Sequence, residues 1–258
     1  MNVRRIGALA QAKVWSFINW RRSSYISLIE SALYLALFGA GLSGVVGAQT
    51  IGNQSLSYLE FLFVGLIAVQ SFRVFPYMTF TCSNDVKWGM YRLYVLAGTT
   101  PLEYLLARGL NAWLYMLMQW IILYIAAILT IGGSILFPGM VMAVLSIPGV
   151  LFWACLGAVI GTLIQDYGTR DLVGTAVILP VVFSSTALYS LDNAPAFLRV
   201  LSRLNPLTYQ ADSLRLAYIG DWNGALIHSG LLLIGVVALA IVAQYVLPHA
   251  NLASMQRA

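Results

Sequence analysis

Six blocks of predominantly apolar residues, each about 20 residues or longer, constrain this chain more than any other feature, because one helix of that length covers the roughly 30 Å hydrocarbon core of a bilayer. They run over 26–46, 59–80, 112–131, 137–164, 172–191 and 225–247. Only 9% of the 258 residues are charged and 60% are hydrophobic, whereas a soluble domain carries roughly a quarter charged residues. Such a chain cannot cover its surface with polar groups, so most of its solvent is lipid. The expected fold class is an all-α membrane protein with six transmembrane helices. Pro148 and Pro180 fall inside the fourth and fifth blocks and predict bends there.

Orientation follows from Lys and Arg beside the spans. An even count puts both termini on one side, with Arg4, Arg5, Lys13, Arg21, Arg22, Lys87, Arg92, Arg108, Arg170 and Arg257. The opposite side holds Arg199, Arg203 and Arg215, and ten against three places both termini in the cytoplasm. Because the net charge of +5 flanks apolar spans, it fits an anionic membrane surface better than nucleic acid.

Three segments outside the spans carry further patterning. Residues 1–24 mix Ile6, Leu9, Val14, Phe17 and Ile18 with basic residues at helical spacing, which predicts a helix lying in the interface, the alternative being a disordered tail. Residues 84–97 predict a short amphipathic helix capped by Ser83 or Asn84, with Asp85 in its first turn and Gly98 and Pro101 as its stop. Its apolar side, with Val86, Met90, Leu93, Tyr94 and Ala97, needs a partner: either neighbouring span ends or a cytosolic protein. Residues 192–223 predict two short helices, one starting at Pro195 and one capped by Thr208 and running to Ile219, joined at Asn205-Pro206 and dipping into the outer membrane face.

Within these segments lie recognisable motifs. Tyr58-Leu59-Glu60-Phe61-Leu62-Phe63-Val64-Gly65 resembles the Tyr-x-x-Phe-Leu-x-x-Gly opening of the second span in ABC-2 type permeases of the drug-export and nodulation-factor-export kind. Trp88-Gly89 through Leu96, then Thr100-Pro101-Leu102 and Arg108, is similar to the segment that follows in that family. Asn205-Pro206-Leu207-Thr208-Tyr209, with Asp212 and Arg215, resembles its motif before the last span, while Val64 departs from the proline that many members carry. The resemblance covers nearly the whole chain in order and span count. It implies an interfacial helix at 1–24, a coupling helix toward an ATPase that includes Asn84, Asp85, Lys87, Trp88, Gly89, Tyr91, Arg92 and Leu93, and external re-entrant helices at 192–223. It also implies a bacterial inner or plasma membrane location. The expected assembly is two ABC ATPase subunits with a second permease, an identical copy or a relative, and membrane lipids around it.

The chain contains no G-x-x-x-x-G-K-[ST] loop, since neither Lys13 nor Lys87 follows glycine. ATP and magnesium are therefore expected on the separate ATPase, and no cofactor or catalytic residue is expected here. Arg73 lies well inside the second span and should face the bundle interior, where it could reach Glu30 of the first span, as a structural pair or as part of a vestibule for substrate. Glu60 reads as interfacial. His228 and His249 stand apart and form no metal site, Cys82 and Cys155 read as packing residues, and Gly157 with Gly161 forms a GxxxG whose partner the pattern does not name. The function these features favour is export of an amphiphilic, lipid-like or glycan-like substrate or drug, driven by a separate ATPase. A secondary carrier or channel is the alternative, although no inverted repeat or buried central carboxylate supports it.

Overall fold

The computed structural model describes residues 33–37, 39, 41, 47–51, 54–164, 166–191 and 194–255. The expected interfacial helix at 1–24, Glu30 and most of the first apolar block lie outside these residues, although 33–37 are helical. The chain is mostly helical. Among the described residues the exception is a small antiparallel pair of strands, β1 (Gln49–Ile51) and β2 (Gln54–Leu56), paired Gln49 with Leu56 and Ile51 with Gln54, which the all-helical expectation missed.

Helix α1 (Tyr58–Phe72) starts in a capping box. Ser57 Oγ accepts from the Glu60 amide at 3.3 Å, and the Glu60 carboxylate accepts from the Ser57 amide at 2.9 Å. After a local tightening at Arg73 the helix continues as α2 (Val74–Lys87), so that Tyr58–Lys87 forms one apolar rod of 30 residues. At about 1.5 Å per residue this rod is about 45 Å long, enough to cross a bilayer and project beyond it.

Gly89, at φ +73°, ends that rod and admits the short α3 (Met90–Leu96). Gly98, at φ +77°, then turns the chain into α4 (Pro101–Ile131), where Thr100 and Glu103 form a second capping box and Pro101 occupies the first turn. The next apolar block is α5 (Leu136–Leu145) followed by α6 (Ile147–Leu163), joined at Ser146 just before Pro148. Then come α7 (Tyr167–Phe183), α8 (Ala196–Leu204), α9 (Pro206–Tyr218) and α10 (Trp222–Met255).

Among the described residues, four helical stretches are long and apolar enough to cross a membrane: Tyr58–Lys87, Pro101–Ile131, Phe137–Leu163 and Trp222–His249. The block expected at 172–191 differs. Its helix begins earlier, at Tyr167, and ends at Phe183, after which a turn at Ser184 and bends over 185–189 follow. The carbonyl of Val181 and the hydroxyl of Ser184 are held there by Asn205 Nδ2, at 2.6 and 2.9 Å, so the helix end is satisfied by a side chain from a distant segment.

Helix α6 lies at the centre and packs against α2, α4 and α10. Its GxxxG has a definite partner. A Cβ on Gly157 would lie 2.5 Å from the Phe75 carbonyl oxygen, and one on Gly161 2.4 Å from that of Thr79, so both glycines receive the backbone of α2. Gly161→Ala is expected to lower stability by about 1 to 3 kcal/mol through overpacking, measured by thermal unfolding of the detergent-purified chain. Aromatic rings fill the same seam, with Trp153 of α6 edge-on to Phe72 at 4.7 Å. In contrast, α10 shows Leu226, Ile227, Leu231, Ile234, Val237 and Ile241 to its surroundings, an apolar surface that lipid or another apolar helix must cover.

Candidate functional site

Two polar clusters form at opposite ends of the α1–α2 rod, and between them they hold most of the residues singled out from the sequence. At the α2 end, Ser83, Asn84 and Asp85 do not cap a new helix as expected. They belong to the last turns of α2, because long-range partners occupy their side chains. Ser83 Oγ donates to the Ile164 carbonyl at 2.8 Å, and Asn84 Oδ1 accepts from Arg170 Nη1 at 3.0 Å. Asp85 accepts from the Tyr104 hydroxyl at 2.7 Å and pairs with Arg108 of α4, both charges almost wholly buried. A buried ion pair of this kind gains little by itself, yet either partner left alone would be a severe cost.

The rings of Tyr91 and Tyr94 of α3 pack on Tyr104, at 5.0 and 6.0 Å, and Arg108 donates to the Tyr94 hydroxyl at 3.4 Å. Burial pushes the Tyr91 hydroxyl up to about 12, so it stays protonated at neutral pH. These contacts fix one face of α3. The other presents Leu93 and Leu96, which are 57% and 83% exposed, and Trp88, at the end of α2 just before the break, is 67% exposed. The apolar side read from the sequence is thus divided: Val86 is buried within α2 and Tyr94 packs inward, whereas Met90 and Leu93 face out.

The start of α7 joins the same cluster. Asp166 caps it by accepting from the Thr169 amide at 2.7 Å, a bond that holds its carboxyl below the usual range. Tyr167 then receives the Lys87 ammonium over its ring at 3.5 Å and the Trp88 indole N–H on its hydroxyl at 3.2 Å. Lys87, Arg108 and Arg170, separated along the chain, therefore share one end of the bundle.

At the α1 end, the two sequence motifs meet. Arg215 of α9 is 3% exposed, with its guanidinium 3.6 Å from the centre of the Phe61 ring and donating to the Ala187 carbonyl at 2.7 Å. Asp212 lies 3.8 Å away and accepts from Thr186 at 2.8 Å. Gly65 is needed at this contact, since a Cβ there would sit 1.7 Å from the Ala187 carbonyl oxygen. Tyr218 donates to Glu60 at 2.8 Å, so Glu60 both closes the α1 capping box and ties α1 to α9. Asn205, not Thr208, caps α9: its Oδ1 accepts from the Leu207 amide at 2.9 Å, with Pro206 in the first turn. Leu207 and Thr208 are buried, and the Tyr209 hydroxyl donates to the Arg203 carbonyl at 2.6 Å.

Arg73 lies between the two clusters, at the α1–α2 junction beside Gln70, Tyr77, Tyr115 and Gln119. Its expected partner Glu30 lies outside the described residues. The cluster members that sequence reading missed include Tyr104, Asp166, Tyr167, Thr186, Ala187 and Tyr218. Only Asp166, as a cap, and Tyr167 directly after it carried a local signal.

Long apolar helices around a central helix whose glycines receive the backbone of α2 define an integral membrane protein of the helical-bundle kind. A family model described as ABC-2 type transporter matches residues 5–219, and the chain belongs to that family. It is similar to Nodulation protein J of Rhizobium leguminosarum biovar viciae, with 25% identity over 240 residues, covering 90% of this chain and 91% of that protein. Nodulation protein J of Rhizobium meliloti strain 1021 is 24% identical over 241 residues, covering 84% and 83%. A chain from Porphyra purpurea whose name describes it as a transport permease, ycf38, is 27% identical over 214 residues, covering 79% and 71%. Membership makes the chain the membrane subunit of an ABC transporter, a class that works in general with ABC ATPases.

Proposed function

We propose that this chain is the permease subunit of an ATP-driven exporter that moves an amphiphilic, lipid-like or glycan-like substrate or drug out of a bacterial cytoplasm. It crosses the plasma membrane six times, with both termini inside and residues 1–24 along the inner surface. Two permeases, identical or related, assemble with two ATPases that carry the ATP and magnesium. The end of the bundle holding Lys87, Arg108 and Arg170 then faces the cytoplasm, and α8 and α9 form re-entrant helices at the outer face.

The observation that carries this reading is the division of α3. Tyr91 and Tyr94 anchor one face to Tyr104 and Arg108, while Leu93 and Leu96 are held outward with Trp88 beside them. A short helix clamped on one side and apolar on the other suits transmission of a push from a soluble partner to the spans. Arg108 and Asp85 would pass that push to α4 and α2. The structural side of the Arg73 proposal remains a pairing with Glu30 that steadies the first two spans.

Leu93→Asp combined with Leu96→Asp is expected to leave the chain folded, since both side chains are exposed, but to reduce its copurification with a co-expressed ATPase about tenfold or more, as loss of a central apolar contact does. Undiminished copurification would remove α3 from the ATPase interface.

A further inference from the structure

At the α1 end of the bundle an open cleft of about 480 Å³ lies between the β1–β2 strand pair, the bends after α7, and helices α8 and α9. Its polar lining includes Arg199, Arg203, Arg215, Ser202 and Asp212, with His228 at its edge. Among the described lining residues three guanidiniums accompany one carboxylate, and that carboxylate is already engaged by Thr186 and Arg215. Arg199 and Arg203 are exposed and form no ion pair or side-chain hydrogen bond among the described residues. Arg215 is 3% exposed, and its Nε has no partner among the described residues. Burying that cation beside two further arginines is unfavourable until an anion joins them.

The outer surface of α8 completes the picture. Phe197, Val200, Leu201 and Leu204 form an apolar stripe, 63%, 58%, 48% and 76% exposed, while Arg199 and Arg203 line the cleft. A nine-residue helix with this division suits a membrane surface, with its stripe in acyl chains and its arginines at headgroup depth. We propose that the cleft binds the oxyanion headgroup, phosphate or sulfate in class, of an amphiphile whose hydrocarbon chain runs along the α8 stripe. This rests on the reading that α8 and α9 belong to the outer face of a lipid-handling permease. The bound amphiphile is a bilayer lipid or the exported molecule itself, and the chemistry that recognises it is the same: paired guanidiniums with a hydroxyl donor from Ser202.

The test uses the full chain reconstituted in phosphatidylcholine vesicles containing about one phosphatidylglycerol in five, then extracted in mild detergent, with retained lipid counted by native mass spectrometry. Wild type is expected to retain phosphatidylglycerol in preference to phosphatidylcholine. Arg199→Gln with Arg203→Gln, both at exposed positions, is expected to weaken that retention about tenfold. Displacement by inorganic phosphate would identify a site that reads the free oxyanion, while retention that withstands phosphate would identify the lipid-borne form; both support the proposal. Equal retention by wild type and the double variant, or no preference for the anionic lipid, would overturn it. Copurification of the same preparations with the ATPase reports separately on the permease assignment.

Discussion

Asp85→Ala is expected to lower the stability of the chain by about 3 to 5 kcal/mol, the range seen when one member of a buried ion pair is removed. Arg108 would keep its charge in a site where its side chain is 5% exposed, with the Tyr94 hydroxyl and the rings of Tyr94 and Tyr104 left beside it. Tyr104 would lose its acceptor as well. The double variant Asp85→Ala with Arg108→Leu removes both charges and is expected to recover most of that loss, because the pair contributes little net stability relative to an apolar replacement. Unfolding midpoints of the four proteins in one detergent give the cycle. If the single variant proved as stable as wild type, the pair would not be buried as described. The double variant also separates stability from transmission: the refolded bundle is expected to have lost its link from α3 to α4, and so to couple ATP hydrolysis poorly.

Gly65→Ala is expected to be the most damaging glycine-to-alanine change among the described residues, costing about 3 kcal/mol. The added Cβ would fall 1.7 Å from the carbonyl oxygen of Ala187 and 2.7 Å from its carbon, and neither atom can swing aside as a side chain end could. Moving that turn also breaks the 2.7 Å bond from Arg215, whose buried guanidinium has few other acceptors. Gly230→Ala, in α10 where nothing lies within 4 Å of the new Cβ, is the control and is expected to stay within about 1 kcal/mol of wild type. Thermal unfolding of both variants side by side distinguishes a steric effect at Gly65 from a general intolerance of substitution in the spans.

How legible all this was depended on the range of the interaction. The apolar blocks expected at 59–80, 112–131, 137–164 and 225–247 follow from composition and fall within the four long apolar helical stretches, because lipid demands a continuous run of apolar side chains that any window detects. Gly98 and Pro101 were legible as the stop of the short helix for an equally local reason, whereas the start of α4 at Pro101, well before the expected 112, was not. The end of α2 was not legible. Ser, Asn and Asp in succession look like a helix start, but their side chains are taken by Ile164, Arg170 and Arg108, far along the chain, and the helix runs on to Lys87. Gly89, rather than those residues, sets the break. For the same reason α7 stops early: Asn205 supplies its cap from beyond a loop. GxxxG declared close approach but not to what, and only the packing of α6 on α2 names the partner. Of the candidate site, the motif residues Tyr58 to Gly65 and Asn205 to Arg215 were visible as two separate patterns. Their meeting through Arg215, Ala187 and Gly65 is a tertiary fact.

The central claim is that α3 couples this permease to an ATPase, and the most direct measurement is ATP hydrolysis in proteoliposomes containing the co-expressed complex. Wild type is expected to alter the ATPase rate relative to the ATPase alone, and Leu93→Asp with Leu96→Asp to abolish that effect while the chain still inserts and unfolds like wild type. An ATPase rate indifferent both to the permease and to the double variant would contradict the account.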